Sequence, residues 1–349
     1  MHMCYIENII SYKKILRNIY LMFFPNIRLR RMRSHSFARE LISENNLSVK
    51  DLIYPLFICE GKNIRSPISS MPGIYRFSLD IAIEECKEIY DLGIPVVALF
   101  PVVTRKKKCK KAKESYNMHG LIQQSIEKIK KNLPNLGIMT DIALDAYTLD
   151  GHDGITNSSG YVSNDITVNT LVKQALSHAV LGSDFLAPSD MMDGRILSIR
   201  EALENKKMHN TKIISYSVKY ASNFYGPFRE ASGSIETFKI KNKKQYQMDI
   251  SNMKESMKEI ELDIIEGSDM SIIKPGLPYL DVIYNASKNF NIPIVAYQVS
   301  GEYSMLKHAV MNNIISKHSI LESMISFKRA GASAIISYFA KDLARDMGS

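Results

Sequence analysis

The stretch Lys254-Glu-Ser-Met-Lys-Glu-Ile-Glu-Leu-Asp-Ile-Ile-Glu-Gly267-Ser-Asp-Met270-Ser-Ile-Ile-Lys274-Pro-Gly276 contains one complete repeat of the fold. From Lys254 to Glu266, Met257, Ile260 and Ile264 recur at helical spacing. Gly267 follows, where a helix end wants a left-handed residue. Met270–Ile273 is then a short apolar run rich in β-branched residues, the signature of a buried strand. It ends on Lys274, and Pro275 disfavours the helical region for that lysine and keeps it extended.

The same unit recurs in both directions. Strands are predicted at Leu52–Ile58, Pro95–Val102, Gly137–Leu144, Phe185–Pro188, Ile213–Val218, Met270–Ile273, Ile292–Val299 and Ala334–Phe339. Between and after them, helical periodicity covers Leu79–Leu92, Gly120–Asn132, Val168–Leu181, Arg195–Glu204, Lys254–Glu266, Tyr279–Asn289, Tyr303–Asn312 and Ser319–Ala330. Gly93, Gly182 and Gly331 stand past helix ends as Gly267 does. Strict alternation implies a parallel sheet. Eight units without a GxGxxG turn after the first strand favour a closed (β/α)8 TIM barrel over an open doubly wound sheet. Such a barrel needs about 250 residues. The 349 residues therefore divide into a leader and extended N-terminal arm, 1–50, and a single barrel, 51–349. Phe37–Glu44 is a short helix candidate within the arm.

Composition narrows the function. The chain is 45% apolar and 23% charged, as globular proteins are. No apolar run reaches the roughly 18 residues of a membrane span; Ile19–Phe24 is too short and Pro25 ends it. The net charge of +9 is uneven. Residues 1–33 hold seven Lys or Arg against Glu7, and Arg105 to Lys108 begin a second basic run that continues through Lys110, Lys111 and Lys113. No zinc finger, recognition helix or aromatic-interleaved basic strand accompanies them, so they read as a basic arm and a solvated loop, not as a nucleic-acid site. Cys4, Cys59, Cys86 and Cys109 lack metal-ligand or redox spacing. A reducing compartment follows, with the cytoplasm as the expected location.

Active sites of these barrels form at the C-terminal ends of the strands. There the third strand offers Asp141 and the loop Asp145 to Asp153, the fourth Ser189 and Asp190, the fifth Lys219, the sixth Lys274, the seventh Tyr297 to Tyr303, and the eighth Ser337, Tyr338 and Phe339. Two lysines on adjacent strand ends, facing one pocket, would each oppose the other's charge, and burial would add to the effect. A lysine of ordinary pKa is neutral in about one part in a few thousand at pH 7. A depressed one supplies a free amine that attacks ketones to form a Schiff base. Arg229 and Lys243 are candidates to clamp a substrate carboxylate. Ser300 and Tyr338 can bind a second one by neutral hydrogen bonds.

Eight segments in order resemble the porphobilinogen synthase (5-aminolevulinate dehydratase) family: Asp51-Leu-Ile-Tyr-Pro-Leu-Phe57, Ser70-Met-Pro-Gly73, Ala187-Pro-Ser-Asp-Met-Met-Asp-Gly-Arg195, Ser215-Tyr-Ser-Val-Lys219-Tyr-Ala-Ser222, Tyr225-Gly-Pro-Phe-Arg229, Ile273-Lys-Pro-Gly276, Tyr297-Gln-Val-Ser-Gly-Glu-Tyr303 and Lys328-Arg-Ala-Gly331. The resemblance runs from about Arg28 to near the C-terminus. It implies condensation of two 5-aminolevulinate molecules to porphobilinogen with loss of two waters, in tetrapyrrole and heme biosynthesis. Lys274 would form the Schiff base with the substrate that supplies the propionate side, the P side, and Lys219 with the acetate side, the A side. Ser300 and Tyr338 match the P-side carboxylate site, and Arg229, Lys243 and Gln247 the A-side clamp. Asp141 and Ser189 match polar contacts of the P-side substrate.

The resemblance also frames the metals. Zinc-dependent relatives carry three cysteines where this chain has Ala143, Asp145 and Asp153. Alanine is no ligand and zinc favours thiolates, so no catalytic zinc is expected. The chain resembles the aspartate-rich, magnesium-associated branch, and whether Asp145 and Asp153 take Mg2+ or K+, or shape the A-side amine pocket without metal, stays open. Glu259 matches the carboxylate of an allosteric Mg2+ site, with Asp193 behind it. The family's arms wrap neighbouring subunits into homo-octamers. Leu29 and Ala146 stand where prolines are common, departures that touch turns rather than chemistry. Residues 1–27 precede the match and read as an extension, a tail or a weak leader; some magnesium-branch relatives work in plastids, which keeps that location as the other reading. Two competing functions would look different. A class I aldolase needs one reactive lysine and no paired clamps. A non-catalytic assembly protein on a decayed barrel would have lost some of the named positions, and none is lost.

Overall fold

A computed structural model describes residues 24–233 and 242–348, in two compact units that divide between Asn46 and Leu47. Leu47 and Val49 pack against the barrel's core, so the division lies before residue 50. The first unit holds a 3-10 turn, Leu29–Arg33, and helix α1, Ser36–Leu41; neither buries a residue. Residues 1–23, most of the leader, Cys4 and Glu7 among them, lie outside the described residues.

The second unit is the expected barrel. Its staves are β1 (Leu52–Cys59), β4 (Val96–Val102), β5 (Gly137–Ile142), β6 (Phe185–Pro188), β7 (Lys212–Lys219), β8 (Met270–Lys274), β9 (Ile294–Gln298) and β10 (Ala334–Ser337), all parallel to their neighbours and closed by β10 on β1. Between them run α2 (Leu79–Asp91), α3 (Leu121–Asn132), α4 (Asn164–Val180), α5 (Arg195–Asn205), α6 (Gly226–Ala231), α7 (Lys254–Ile265), α8 (Leu280–Asn289), α9 (Ser300–Met311) and α10 (His318–Arg329), with α11 (Ala340–Gly348) at the end. The strands are apolar and buried almost throughout, as sheets covered on both faces require. Gly93, Gly182, Gly267 and Gly331 have φ of 83°, 101°, 100° and 101°, the left-handed helix ends read from the sequence.

Four features differ from the sequence reading. A short hairpin, β2 (Arg65–Pro67) and β3 (Tyr75–Ser78), is added to the rim. β10 pairs with β1 only at Leu52 and Ile53, which leaves the last rungs, Phe57 to Cys59, for β3. Helices α6 and α11 arise in stretches read as loop and terminus. The basic run is not wholly solvated: Lys108 is 6% exposed, and burial pulls its ammonium below the ordinary lysine pKa while Asp145 opposes the shift. Among the described residues no helix is long and apolar enough to cross a membrane.

Candidate active site

Strands β7 and β8 end together. Their ladder pairs Val218 with Ile273 and Lys219 with Lys274, so both lysines occupy the last rung. A register shift between Ser215 and Val218 separates this rung from the ladder below. Both side chains line one cavity at the C-terminal mouth of the barrel. Asp145, Tyr225, Phe228, Arg229, Lys243 and Gln247 line it, as do Tyr297, Ser300 and Tyr338. The sequence had placed Lys219, Lys274, Arg229, Lys243, Gln247, Ser300 and Tyr338 at one site, and the fold brings all seven together.

The two amines have different surroundings. Lys274 is 8% exposed, and its Nζ lies 4.7 Å from the Tyr297 ring centre, 5.1 Å from Tyr216 and 5.4 Å from both Tyr225 and Phe228. Burial, reinforced by the charge of Lys219, pulls its pKa from 10.5 down to about 7, against the pull of Asp141, Asp145 and Asp153. Lys219 is 5% exposed but polar-bound: its Nζ donates to the Ser189 carbonyl and lies 3.3 Å from Asp153 Oδ1. The aromatic wall around Lys274 was not read from the sequence. Tyr216 stands in the motif that carries Lys219, and Tyr225, Phe228 and Tyr297 stand in the motifs that carry Arg229 and Ser300.

The third-strand loop faces Lys219 from β5. Asp153 is buried between two ammonium groups, with Lys243 Nζ 3.0 Å from its Oδ2. Burial would raise its pKa, but Lys219, Lys243 and the Tyr246 hydroxyl hold it well below the usual carboxylate range. Tyr246 Oη in turn accepts the Asp153 N–H at 3.1 Å. Asp145 accepts from Lys243 at 3.5 Å. Each aspartate therefore already faces an ammonium group. Ala143, at the first of the cysteine-matching positions, is buried and its side chain offers no ligand atom. Among the described residues no group of three or more His, Cys, Asp or Glu side chains could hold a metal.

The P-side candidates sit on the opposite wall. Ser300 opens α9, and its Oγ accepts the Phe228 N–H at 2.9 Å. Tyr338 follows β10, its hydroxyl 3.2 Å from that of Tyr297. Arg229 and Phe228 lie on α6, where Pro227 stands in the first turn as helix starts favour. Two predicted contacts do not line the cavity. Asp141 is half-buried, and desolvation and the neighbouring Asp145 push its carboxyl up to about 6. Ser189 contributes its carbonyl, to Lys219, rather than an exposed hydroxyl. Glu259 and Asp193 line a second cavity with Asn164, Met192 and Glu255; Gln247 lines both cavities, and neither lysine lines this one. Burial and the nearby Asp263, Asp193 and Glu255 push Glu259 up to about 7, against Arg195.

Comparison with known proteins agrees with the geometry. The sequence model of the delta-aminolevulinic acid dehydratase family matches residues 26–346. The delta-aminolevulinic acid dehydratase of Bradyrhizobium diazoefficiens is 45% identical over 322 residues, covering 92% of this chain and 91% of its own. That of Synechocystis sp. is 45% identical over 326 residues, 92% of this chain and 98% of its own. The crystal structure of the Toxoplasma gondii enzyme, in complex with the reaction product porphobilinogen, superposes with a TM-score of 0.90 at 45% identity, covering 93% of this chain and 92% of that one. With its family model matched over residues 26–346 and relatives 45% identical over most of its length, the chain belongs to the delta-aminolevulinic acid dehydratase family, the porphobilinogen synthases.

Proposed function

We propose that this chain condenses two 5-aminolevulinate molecules into porphobilinogen, with Lys274 holding the P-side substrate and Lys219 the A-side substrate. The observation that carries this reading is the pairing of the two lysines on one rung of one cavity, between a cationic clamp and a neutral hydroxyl site. Lys274, near half-neutral at pH 7, attacks the P-side ketone; loss of water leaves an imine. Lys219 does the same on the A side, and its imine acidifies the adjacent carbon. That carbon bonds to the P-side imine carbon, and Lys274 leaves as an amine. The P-side amino nitrogen bonds to the A-side imine carbon, and Lys219 leaves. Proton loss completes the pyrrole, so two substrates give one product and two waters. Holding both partners beside each other removes the entropy of a bimolecular encounter.

Arg229, Lys243 and Gln247 receive the A-side carboxylate, and Ser300 and Tyr338 the P-side one. The charged clamp sits beside Asp145 and Asp153, so Lys243 exchanges part of an existing ion pair for the substrate. Asp145 and Asp153 shape the A-side amine pocket, since ammonium groups already stand against them. Asp141 lies near both amines and favours the positive form of Lys274.

Glu259 would hold a Mg2+ ion, with Asp193 behind it. The donor set suits such an ion because acidic neighbours crowd Glu259 in an open cavity, and magnesium keeps most of its water while taking one or two carboxylates. Bound there, the ion supplies positive charge that offsets those carboxylates, distant from the reacting atoms. The arm, with Phe24, Leu29, Phe37 and Leu41 each more than two-thirds exposed, is suited to cover a neighbouring subunit in a homo-octamer. A cytoplasmic enzyme with reduced cysteines is the matching location.

The direct test is product identification. Purified protein and 5-aminolevulinate should give porphobilinogen at the mass of two substrates less two waters. A folded protein that consumes no substrate would refute the reading; a product at the mass of one substrate would favour single-lysine chemistry.

A further inference from the structure

Glu302 is fully buried and takes no part in the chemistry above. It stands in the first turn of α9, where a glutamate ordinarily caps its own helix. One bond does that: Oε2 accepts the Val299 N–H at 2.8 Å. The other two leave the helix. Oε2 also accepts the Gly276 N–H at 3.2 Å, and Oε1 the Leu277 N–H at 2.6 Å. Gly276 and Leu277 belong to the loop that follows Lys274 and Pro275. Val299 immediately precedes Ser300.

We propose that Glu302 is a positioning residue for the P-side half of the reaction: its one carboxylate ties the loop after Lys274 to the backbone that presents Ser300. The imine-forming amine and the carboxylate-binding hydroxyl meet opposite ends of the same substrate. They come from different strands, β8 and β9, whose ladder stops at Ile273 and Ala296. Beyond that rung, Glu302 spans the gap. The surroundings leave little room for slack. A Cβ on Gly276 would meet the Phe327 ring at 2.6 Å, and one on Gly301 would meet the Phe224 carbonyl at 2.4 Å. The next residues anchor the turn to the Ser70-Met-Pro-Gly73 segment, through Tyr303 Oη to the Pro72 carbonyl and Ser304 Oγ to the Ser70 carbonyl, each 2.6 Å. No comparable strap joins Glu302 to Lys219.

This inference rests on the assignment of Lys274 and Ser300 to one substrate. The experiment measures the rate at which borohydride traps 5-aminolevulinate on each lysine, in the unaltered chain and in Glu302→Gln. The amide turns an N–H pair toward donors and leaves at least one buried N–H without an acceptor. Trapping at Lys274 should slow about tenfold or more, while Lys219 stays within about threefold. KM should rise, and Glu302→Asp, which keeps two acceptor oxygens on a shorter stem, should recover part of the Lys274 rate. Because the Gln variant risks misfolding, the Asp variant also stands alone: a smaller loss, still confined to Lys274, supports the proposal. Equal losses at both lysines, or no loss in a folded variant, would overturn it. Failure to trap Lys274 in the unaltered chain would instead overturn the substrate assignment, and the proposal with it.

Discussion

Lys219 and Lys274 are register partners on the last rung of the β7–β8 ladder, yet one ammonium is bound by oxygen and the other is surrounded by aromatic rings. The backbone fixes their proximity, and the side walls give them different surroundings. Lys219 keeps a carboxylate partner in Asp153. Lys274 has rings on four sides, and desolvation is the larger of the effects that free its amine.

The pH dependence of trapping at Lys274 follows from that environment. Its folded pKa is lowered from 10.5 to about 7, so the reactive amine appears as pH rises through about 7 and not through the ordinary lysine range. Imine trapping at Lys274, measured by peptide mass at a series of pH values, should rise with a midpoint near 7 and then level. Lys219→Ala removes the second cause of the lowering. Product formation should fall to background, and the Lys274 midpoint should move upward.

Asp153 is predicted to matter for stability as well as rate. Asp153→Asn would leave Lys219 and Lys243 facing each other with their shared counter-charge gone. Breaking a buried pair of this kind costs about 3 kcal/mol, read as a lower urea midpoint. The pH dependence has a definite sign. A carboxyl whose folded pKa is depressed stabilises the fold above its unfolded value of roughly 4, and that contribution is lost as pH falls through the folded value. The variant should therefore lose less stability than the parent on acidification below pH 4.

Metal dependence separates the two acidic sites. Chelation should lower activity without abolishing trapping at either lysine, and Mg2+ should restore it. Glu259→Gln should remove the response to Mg2+ while activity without added metal stays within about threefold of the parent, because the glutamate shares no contact with the amines. Restoration by Zn2+ alone would contradict the reading of Ala143, Asp145 and Asp153.

The barrel was legible because its signals are local and repeated. Helical spacing, terminal glycines and β-branched runs each recur around the chain, and strand ends were misplaced by only a residue or two. The hairpin at Tyr75–Ser78 was missed because its pairing with β1 is dictated by rungs that β10 leaves open, a fact of closure that no short window contains. At the site, the motifs' charged and hydroxyl residues Lys219, Arg229, Lys243, Lys274, Ser300 and Tyr338 meet in one cavity, while Asp141 and Ser189 do not line it. The aromatic wall was not read from the motifs, because burial of Tyr216, Tyr225 and Phe228 against Lys274 depends on how β7, α6 and β8 converge. Lys108 was hidden for a similar reason: a basic run carries no mark of the one member folded beneath the loop.

Both lysines should form imines with the same substrate type in one cavity. Borohydride reduction in saturating 5-aminolevulinate, followed by peptide mass mapping, tests it most directly. Reduced adducts are expected on the peptides containing Lys219 and Lys274, and on no other lysine. Modification of neither, or of only one at saturation, would contradict it.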